Sequence, residues 1–133
     1  MISAQSDKTE LPYHELPENT EKFTAGTVAA KQVDALGFRY YHTTDNLTEK
    51  DLAYRPSDSV RSSKETIQHI YDLSLIVLNS KLNKANSREK IEMSYLELRT
   101  KTLLNLKQAS DILRTSDDIS KYKIIFGTNE IPY

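Results

Sequence analysis

His69 is the residue of this chain with the clearest capacity for chemistry, because an imidazole on a helix is a good ligand for zinc, nickel or iron. Glu65 lies one helical turn before it and Asp72 nearly one turn after it, so either carboxylate would orient the ring or supplement its ligation. The competing interpretation is a half-buried histidine that is satisfied by Glu65 or by a backbone carbonyl. Since a metal site needs several ligands, His69 alone predicts weak metal binding or none.

The other polar candidates favour structural roles. His14 and His42 do not show the one-turn spacing of a helix-borne metal pair, and they are predicted to be a solvated loop residue and a residue on a surface or groove edge. Ser62 opens a capping box that uses its oxygen, and no His–Asp relay is spaced around it. Arg55 is expected to pair with Asp51 or to cap a helix rather than to receive an anionic ligand.

Composition excludes several classes of function. The chain has 133 residues, with 18 basic and 19 acidic side chains, so no large positive field draws it to nucleic acid. It contains no cysteine, which removes disulfides, thiolate metal ligands and thiol nucleophiles. The longest apolar cluster, at 73–78, is too short to cross a bilayer, and no basic-then-apolar leader is found. We therefore predict a cytoplasmic protein with neither nucleic acid nor membrane as a partner.

Hydrophobic periodicity predicts one helical domain over residues 1–133. Three long amphipathic helices are expected at about 24–45, 62–80 and 87–114. Residues 1–20 read as an extended lead-in, because Pro12 and Pro17 block a long helix. A short capped element begins at Thr48 and is stopped by Pro56. The short polar connection at 84–88 predicts that the second and third long helices are antiparallel neighbours.

The segment 115–133 is polar and then becomes apolar from Tyr122 to Phe126. This pattern is typical of a tail that leads toward a further helix. Three amphipathic helices leave part of their apolar faces uncovered, so a fourth helix is expected, either from a continuation or from another chain. A homodimer is the partner that this expectation predicts, and the bundle also leaves room for a small-molecule ligand.

Three stretches in a fixed order carry a family resemblance. They are Gly-Phe-Arg-Tyr-Tyr at 37–41, Leu-Thr-Glu-Lys-Asp-Leu-Ala-Tyr-Arg-Pro at 47–56, and Ser-Ser-Lys-Glu-Thr-Ile-Gln-His-Ile-Tyr at 62–71. In this combination the chain resembles the DinB-like (damage-inducible) four-helix-bundle proteins. The resemblance covers the first two long helices, and the third helix agrees with it in pattern.

The resemblance implies an all-α, up-down-down-up bundle with a long crossover, often dimeric, with a metal pocket at one end. In metal-binding members a histidine of the second helix joins two histidines of the last helix. His69 matches the first ligand, with Glu65 and Asp72 as supporting residues, while the other two ligands would lie beyond Tyr133. The expected protein is thus a stress-associated, metal-dependent hydrolase or thiol S-transferase with an incomplete metal site. The alternative is a non-enzymatic helical dimerisation or interaction module.

Overall fold

The computed structural model describes residues 10–19 and 22–133, so expectations for residues 1–9, 20 and 21 lie outside the described part. The described chain is mostly helical, as predicted, but it also contains a small sheet that the sequence patterns did not indicate. The elements in chain order are α1 (Ala25–Thr43), α2 (Glu49–Ala53), α3 (Ser63–Leu82), β1 (Ala85–Asn86), α4 (Tyr95–Arg114), β2 (Lys123–Phe126) and β3 (Asn129–Pro132).

Each helix begins at a reciprocal capping box, in which the N-cap side chain and the third helical residue bond to each other's backbone N–H. The boxes at Thr48 and Ser62 confirm the sequence prediction. The last long helix, α4, begins after Ser94 and not near Ser87 as predicted, because Ser94 and Glu97 supply its box. The connection after α3 therefore extends over residues 83–94.

The central helix is α4, and α3 runs parallel to it. Leu98 near the start of α4 packs with Ile67 near the start of α3. Two turns further along both helices, Asn105 Nδ2 donates to Ser74 Oγ (3.1 Å). The predicted antiparallel pairing of these two helices is therefore wrong. The reason is the length of the connection. Twelve extended residues span up to about 40 Å, enough to return along a helix of about 30 Å.

The opposite relation holds between α1 and α4, which are antiparallel. Asp34 in the middle of α1 meets Ser110 near the end of α4, and Tyr41 at the end of α1 meets Arg99 near the start of α4. Buried Arg99 donates to the Tyr41 carbonyl oxygen (3.0 Å) and its guanidinium lies over the Tyr41 ring. The three long helices therefore follow the order up-down-down.

Residues 10–19 of the predicted lead-in pack on the helices and cover part of their apolar surface, for which the sequence predicted a fourth helix. Tyr13 is buried with Tyr40, Leu103 and Leu106, and residues of α1 and α3 pack around this cluster. The close approach of the Tyr13 ring to α1 depends on Gly37, because a Cβ atom at that position would lie 2.5 Å from the ring. Tyr13 is thus an integral part of the core.

The C-terminal segment forms a hairpin, so the expectation of an all-helical fold is corrected. Strand β2 pairs antiparallel with β3 and parallel with β1, giving the order β1-β2-β3. Adjacent β-branched residues Ile124 and Ile125 favour the strand, and Gly127 takes the positive φ (57°) that the turn requires. Tyr122 packs on Ala30 and Leu113, which seals the end of the α1–α4 interface. A fourth long helix stays a prediction.

Candidate functional site

His69 lies on the outer face of α3. The face that packs on α4 carries Ile67, Ser74 and Leu78, and His69 is about 200° around the helix from Ile67. His69 is exposed rather than half-buried. Within the described residues it has no hydrogen-bond or ion-pair partner. The sequence located the residue correctly on a helix, but its expected partners do not reach it.

Both carboxylates expected beside His69 are engaged elsewhere. Glu65 Oε2 accepts from the Ser62 backbone N–H (2.7 Å) and pairs with Arg55 (2.9 Å). These two groups, the N–H first, lower the pKa of Glu65. Asp72 Oδ1 accepts from Gln68 Nε2 (3.1 Å). Arg55 thus has the structural role that the sequence predicted, although its partner is Glu65 and not Asp51.

The described residues do not fit the metal that the resemblance implies. Over residues 10–19 and 22–133, no group of three or more His, Cys, Asp or Glu side chains is placed to hold a metal ion. His69 supplies one imidazole, whereas a zinc site takes three or four protein ligands. In this part of the chain, therefore, no ligand set supports a metal-dependent reaction.

Sequence spacing did not reveal that His14 and His42 meet. Their ring centroids are 6.0 Å apart, and His42 Nε2 lies 3.0 Å from the His14 carbonyl oxygen. A ring nitrogen that faces a carbonyl must carry a proton and donate, so this nitrogen is not free to bind a metal. Phe38 and Tyr41 pack edge-on to the His42 ring. The cluster serves to fasten the lead-in to α1.

A buried polar cluster around Asp34 was also missed. Asp34 is only 3% exposed, and its Oδ1 accepts from Tyr13 Oη (2.9 Å) and Ser110 Oγ (2.6 Å). Its Oδ2 forms an ion pair with Arg114. Burial, followed by the Asp34 charge, raises the pKa of Tyr13. Sequence spacing alone does not reveal Asp34, because the burial of Ala30, one turn before it, is known only from the structure.

A cavity of about 310 Å³ adjoins this cluster, between the lead-in and α1. Asp34 and Arg114 form its polar floor. Its walls include Leu16, Phe23, Val28 and Lys31. Since three donors already hold the Asp34 carboxylate, it is unsuited to act as a general base, and the floor serves binding better than proton transfer.

Lys81 is a second charged group that the sequence patterns did not single out. It is 7% exposed, and its Nζ donates to Ser80 Oγ (3.2 Å) and lies over the rings of Tyr122 and Tyr133. Burial lowers the pKa of Lys81 to about 7. The C-terminal hairpin therefore packs over an amine whose pKa lies near neutral pH.

Fold and site together define a predominantly helical domain with a small sheet and a polar-floored cavity. No helix formed by residues 10–19 and 22–133 has the length and apolarity needed to cross a membrane. No protein-family model matches the chain, and no curated protein or solved structure matches it.

Proposed function

We propose that this chain is a DinB-like helical domain. The observation that supports this proposal is the direction of the long helices: α1, α3 and α4 run up, down and down, with a long return over residues 83–94 between the parallel pair. The resemblance implies this order and this crossover. The length of the connection alone predicts the opposite direction for α4. The observed direction therefore supports the resemblance independently of the pattern that predicted the helices.

Metal-dependent hydrolysis or thiol transfer, the activities that the resemblance implies, are not assigned to the described residues. His69 stands there as a single candidate ligand, while Glu65 caps α3 and Asp72 bonds to Gln68. A divalent metal held by one imidazole is bound weakly. Within this proposal, a complete site would take its remaining ligands from a helix that packs against the outer face of α3.

The function that we propose for the chain itself is non-enzymatic: a helix-pairing module that forms a homodimer through the outer face of α3. Thr66, His69, Leu73 and Ile76 follow one another at spacings of three, four and three residues, the rhythm of a helix-pairing seam. Leu73, at the centre of this seam, is 47% exposed. When a second helix covers an apolar side chain at a seam position, the side chain is removed from water and the pairing of the two helices is stabilised.

A second copy of the chain would supply that helix in the required direction. A two-fold axis perpendicular to α3 makes two copies of that helix antiparallel, whereas an axis along the helix would make them parallel, and the perpendicular arrangement is the one that we propose. The partner's α3 would then run opposite to α3 and α4, and this is the direction of the fourth helix in an up-down-down-up bundle.

Light scattering after size-exclusion chromatography, over a range of protein concentrations, tests the module. We expect a wild-type dimer that dissociates on dilution, and a Leu73→Glu variant that is monomeric at every concentration. Leu104→Glu is the matched control, because Leu104 is similarly exposed (50%) but lies on the outer face of α4. A monomeric wild type, or equal dimerisation of both variants, would overturn the proposal.

A further inference from the structure

We infer that an apolar groove along the first half of α1 binds an elongated small molecule that is uncharged and carries a hydrogen-bond acceptor at one end. The groove consists of the cavity of about 310 Å³ between residues 16–19 and α1 and of a neighbouring, more open depression of about 430 Å³. Both volumes are within the range of small-molecule pockets. The groove is separate from the seam on α3, since none of the seam residues lines either part.

Shared apolar walls join the cavity and the depression into one groove. Phe23 (84% exposed) and Val28 (51% exposed) line both parts. Leu16 extends the apolar wall in the cavity, and Ile119 extends it in the depression. Single exposed apolar residues are normal on a protein surface, but a group that converges on one concave site marks a binding site. The body of a ligand that lies along the groove would remove these side chains from water.

The charges along the groove favour an uncharged ligand. At the floor of the cavity, Asp34 is paired with Arg114. At its rim, Lys22 is paired with Asp117 (3.4 Å). The other two charged residues of the cavity are exposed and opposite in sign: Glu18 and Lys31. None of the described residues that line the depression is charged. A ligand charge of either sign would meet one attraction and one repulsion at the exposed rim, so nothing offsets the loss of its hydration in the groove.

The floor of the cavity supplies a hydrogen-bond donor for the ligand. Arg114 has five N–H groups, and its pair with Asp34 uses one terminal nitrogen, Nη2. Among residues 10–19 and 22–133, its other two nitrogens have no hydrogen-bond partner, and its side chain is 23% exposed. Because Asp34 already balances the charge of Arg114, a neutral oxygen suits these N–H groups. The ligand class is therefore a ketone, ester or ether with a long apolar body.

Displacement of Nile red, an uncharged dye that fluoresces in apolar surroundings, tests the proposal on the full chain. The competitors are decan-2-one, decanoate and decylamine, which have ten carbons each, and all are used below their micelle-forming concentrations. We expect decan-2-one to displace the dye at a concentration about tenfold lower than either ion does, with the two ions alike. A marked preference for one ion, or no displacement by decan-2-one, would overturn the assignment of an uncharged ligand.

Three variants locate the groove and test its neutrality. Val28→Glu and Val28→Lys place charges of opposite sign in the wall that both parts share, and each should weaken decan-2-one about tenfold. Leu36→Glu is the matched control, because Leu36 is similarly exposed (50%) on α1 and lines neither part, so binding should be unchanged. In ¹H–¹⁵N spectra, decan-2-one should shift the amides of Val28 and Ala35 and the side-chain N–H of Arg114.

Opposite effects of the two Val28 variants would show that the ligand is recognised by charge. An equal loss of binding in Leu36→Glu, or shifts that fall elsewhere, would show that the groove is not the site. Each of these results would overturn the proposal, whereas the dimer of the α3 seam is measured separately by light scattering.

Discussion

Asp34 and Arg114 lie 80 residues apart in sequence and form a partly buried ion pair that joins the middle of α1 to the end of α4. Ser110, one turn before Arg114, donates to the same carboxylate, and Tyr13 brings the lead-in to it. One carboxylate thus ties together three segments of the chain. Because the contact is specific in position, it sets the register of the antiparallel α1–α4 pair.

Replacement of Arg114 by Met should destabilise the fold by about 3 kcal/mol, since it leaves the Asp34 charge buried without its cation. Arg114 itself is partly exposed, so we expect a loss at the lower end of the range for such pairs. Urea unfolding followed by circular dichroism measures it. Lys107→Met is the control, because its pair with Asp111 is exposed and is worth at most about 0.5 kcal/mol. Equal losses in the two variants would contradict the role of the buried pair.

Gly26→Ala should destabilise the protein although alanine is the better helix former. A Cβ atom at Gly26 would collide with the backbone carbonyl oxygens of Leu113 and Ser116, which cannot move without shifting the end of α4. We expect the collision to cost about 2 kcal/mol. This cost exceeds the gain of about 1 kcal/mol in helix propensity, so the variant should be less stable than the wild type. Thermal unfolding compared with Gln32→Ala, at an exposed position of α1, provides the measurement. A rise in melting temperature for Gly26→Ala would refute the close approach.

The local features of this fold could be predicted from sequence because they depend on neighbouring residues. The capping boxes at Thr48 and Ser62 are reciprocal bonds over three residues. The direction of α4 could not be predicted from the length of the connection, because that length depends on the position of one N-cap: Ser94 in place of Ser87 makes the connection long enough to reverse the helix.

The candidate sites were harder to predict because their parts are distant in sequence. Asp34 takes its partners from positions 21, 76 and 80 residues away, and no spacing rule connects them. His69 was identified from its residue type and from the family resemblance. Its lack of partners could not be predicted, because it depends on which face of α3 is exposed. Asp34 lies one turn after Ala30 on the buried face of α1, and which face of α1 is buried is known only from its packing on α4.

Zinc should bind the chain weakly, because His69 offers one imidazole and Glu65 and Asp72 are engaged. Isothermal titration with zinc or nickel is expected to give a dissociation constant well above the micromolar range, and His69→Ala should lower the affinity further. His42→Ala is the matched control, because its Nε2 is held by the His14 carbonyl oxygen. One tightly held metal ion per chain would show that the ligand set is more complete than the described residues indicate.

The stability of the protein should increase with pH between about 7 and 9 because of Lys81. Burial lowers the pKa of its amine from 10.5 to about 7 in the folded chain. In this pH window the unfolded chain binds a proton that the folded chain lacks, so the free energy of unfolding rises by at most about 1.4 kcal/mol per pH unit. Contacts with the rings of Tyr122 and Tyr133 favour the charged amine and so narrow the pH window over which stability rises.

The variant Lys81→Met isolates this effect. It removes the titrating group while keeping an unbranched apolar side chain under the hairpin, so we expect a flatter dependence on pH and a higher stability near pH 7 than in the wild type. Urea unfolding at several pH values measures both quantities. Lys101→Met, which removes an exposed lysine, should retain the wild-type slope. If Lys81→Met and Lys101→Met show the same dependence on pH, the amine of Lys81 stays charged in the folded protein and its two tyrosine contacts outweigh the cost of its burial.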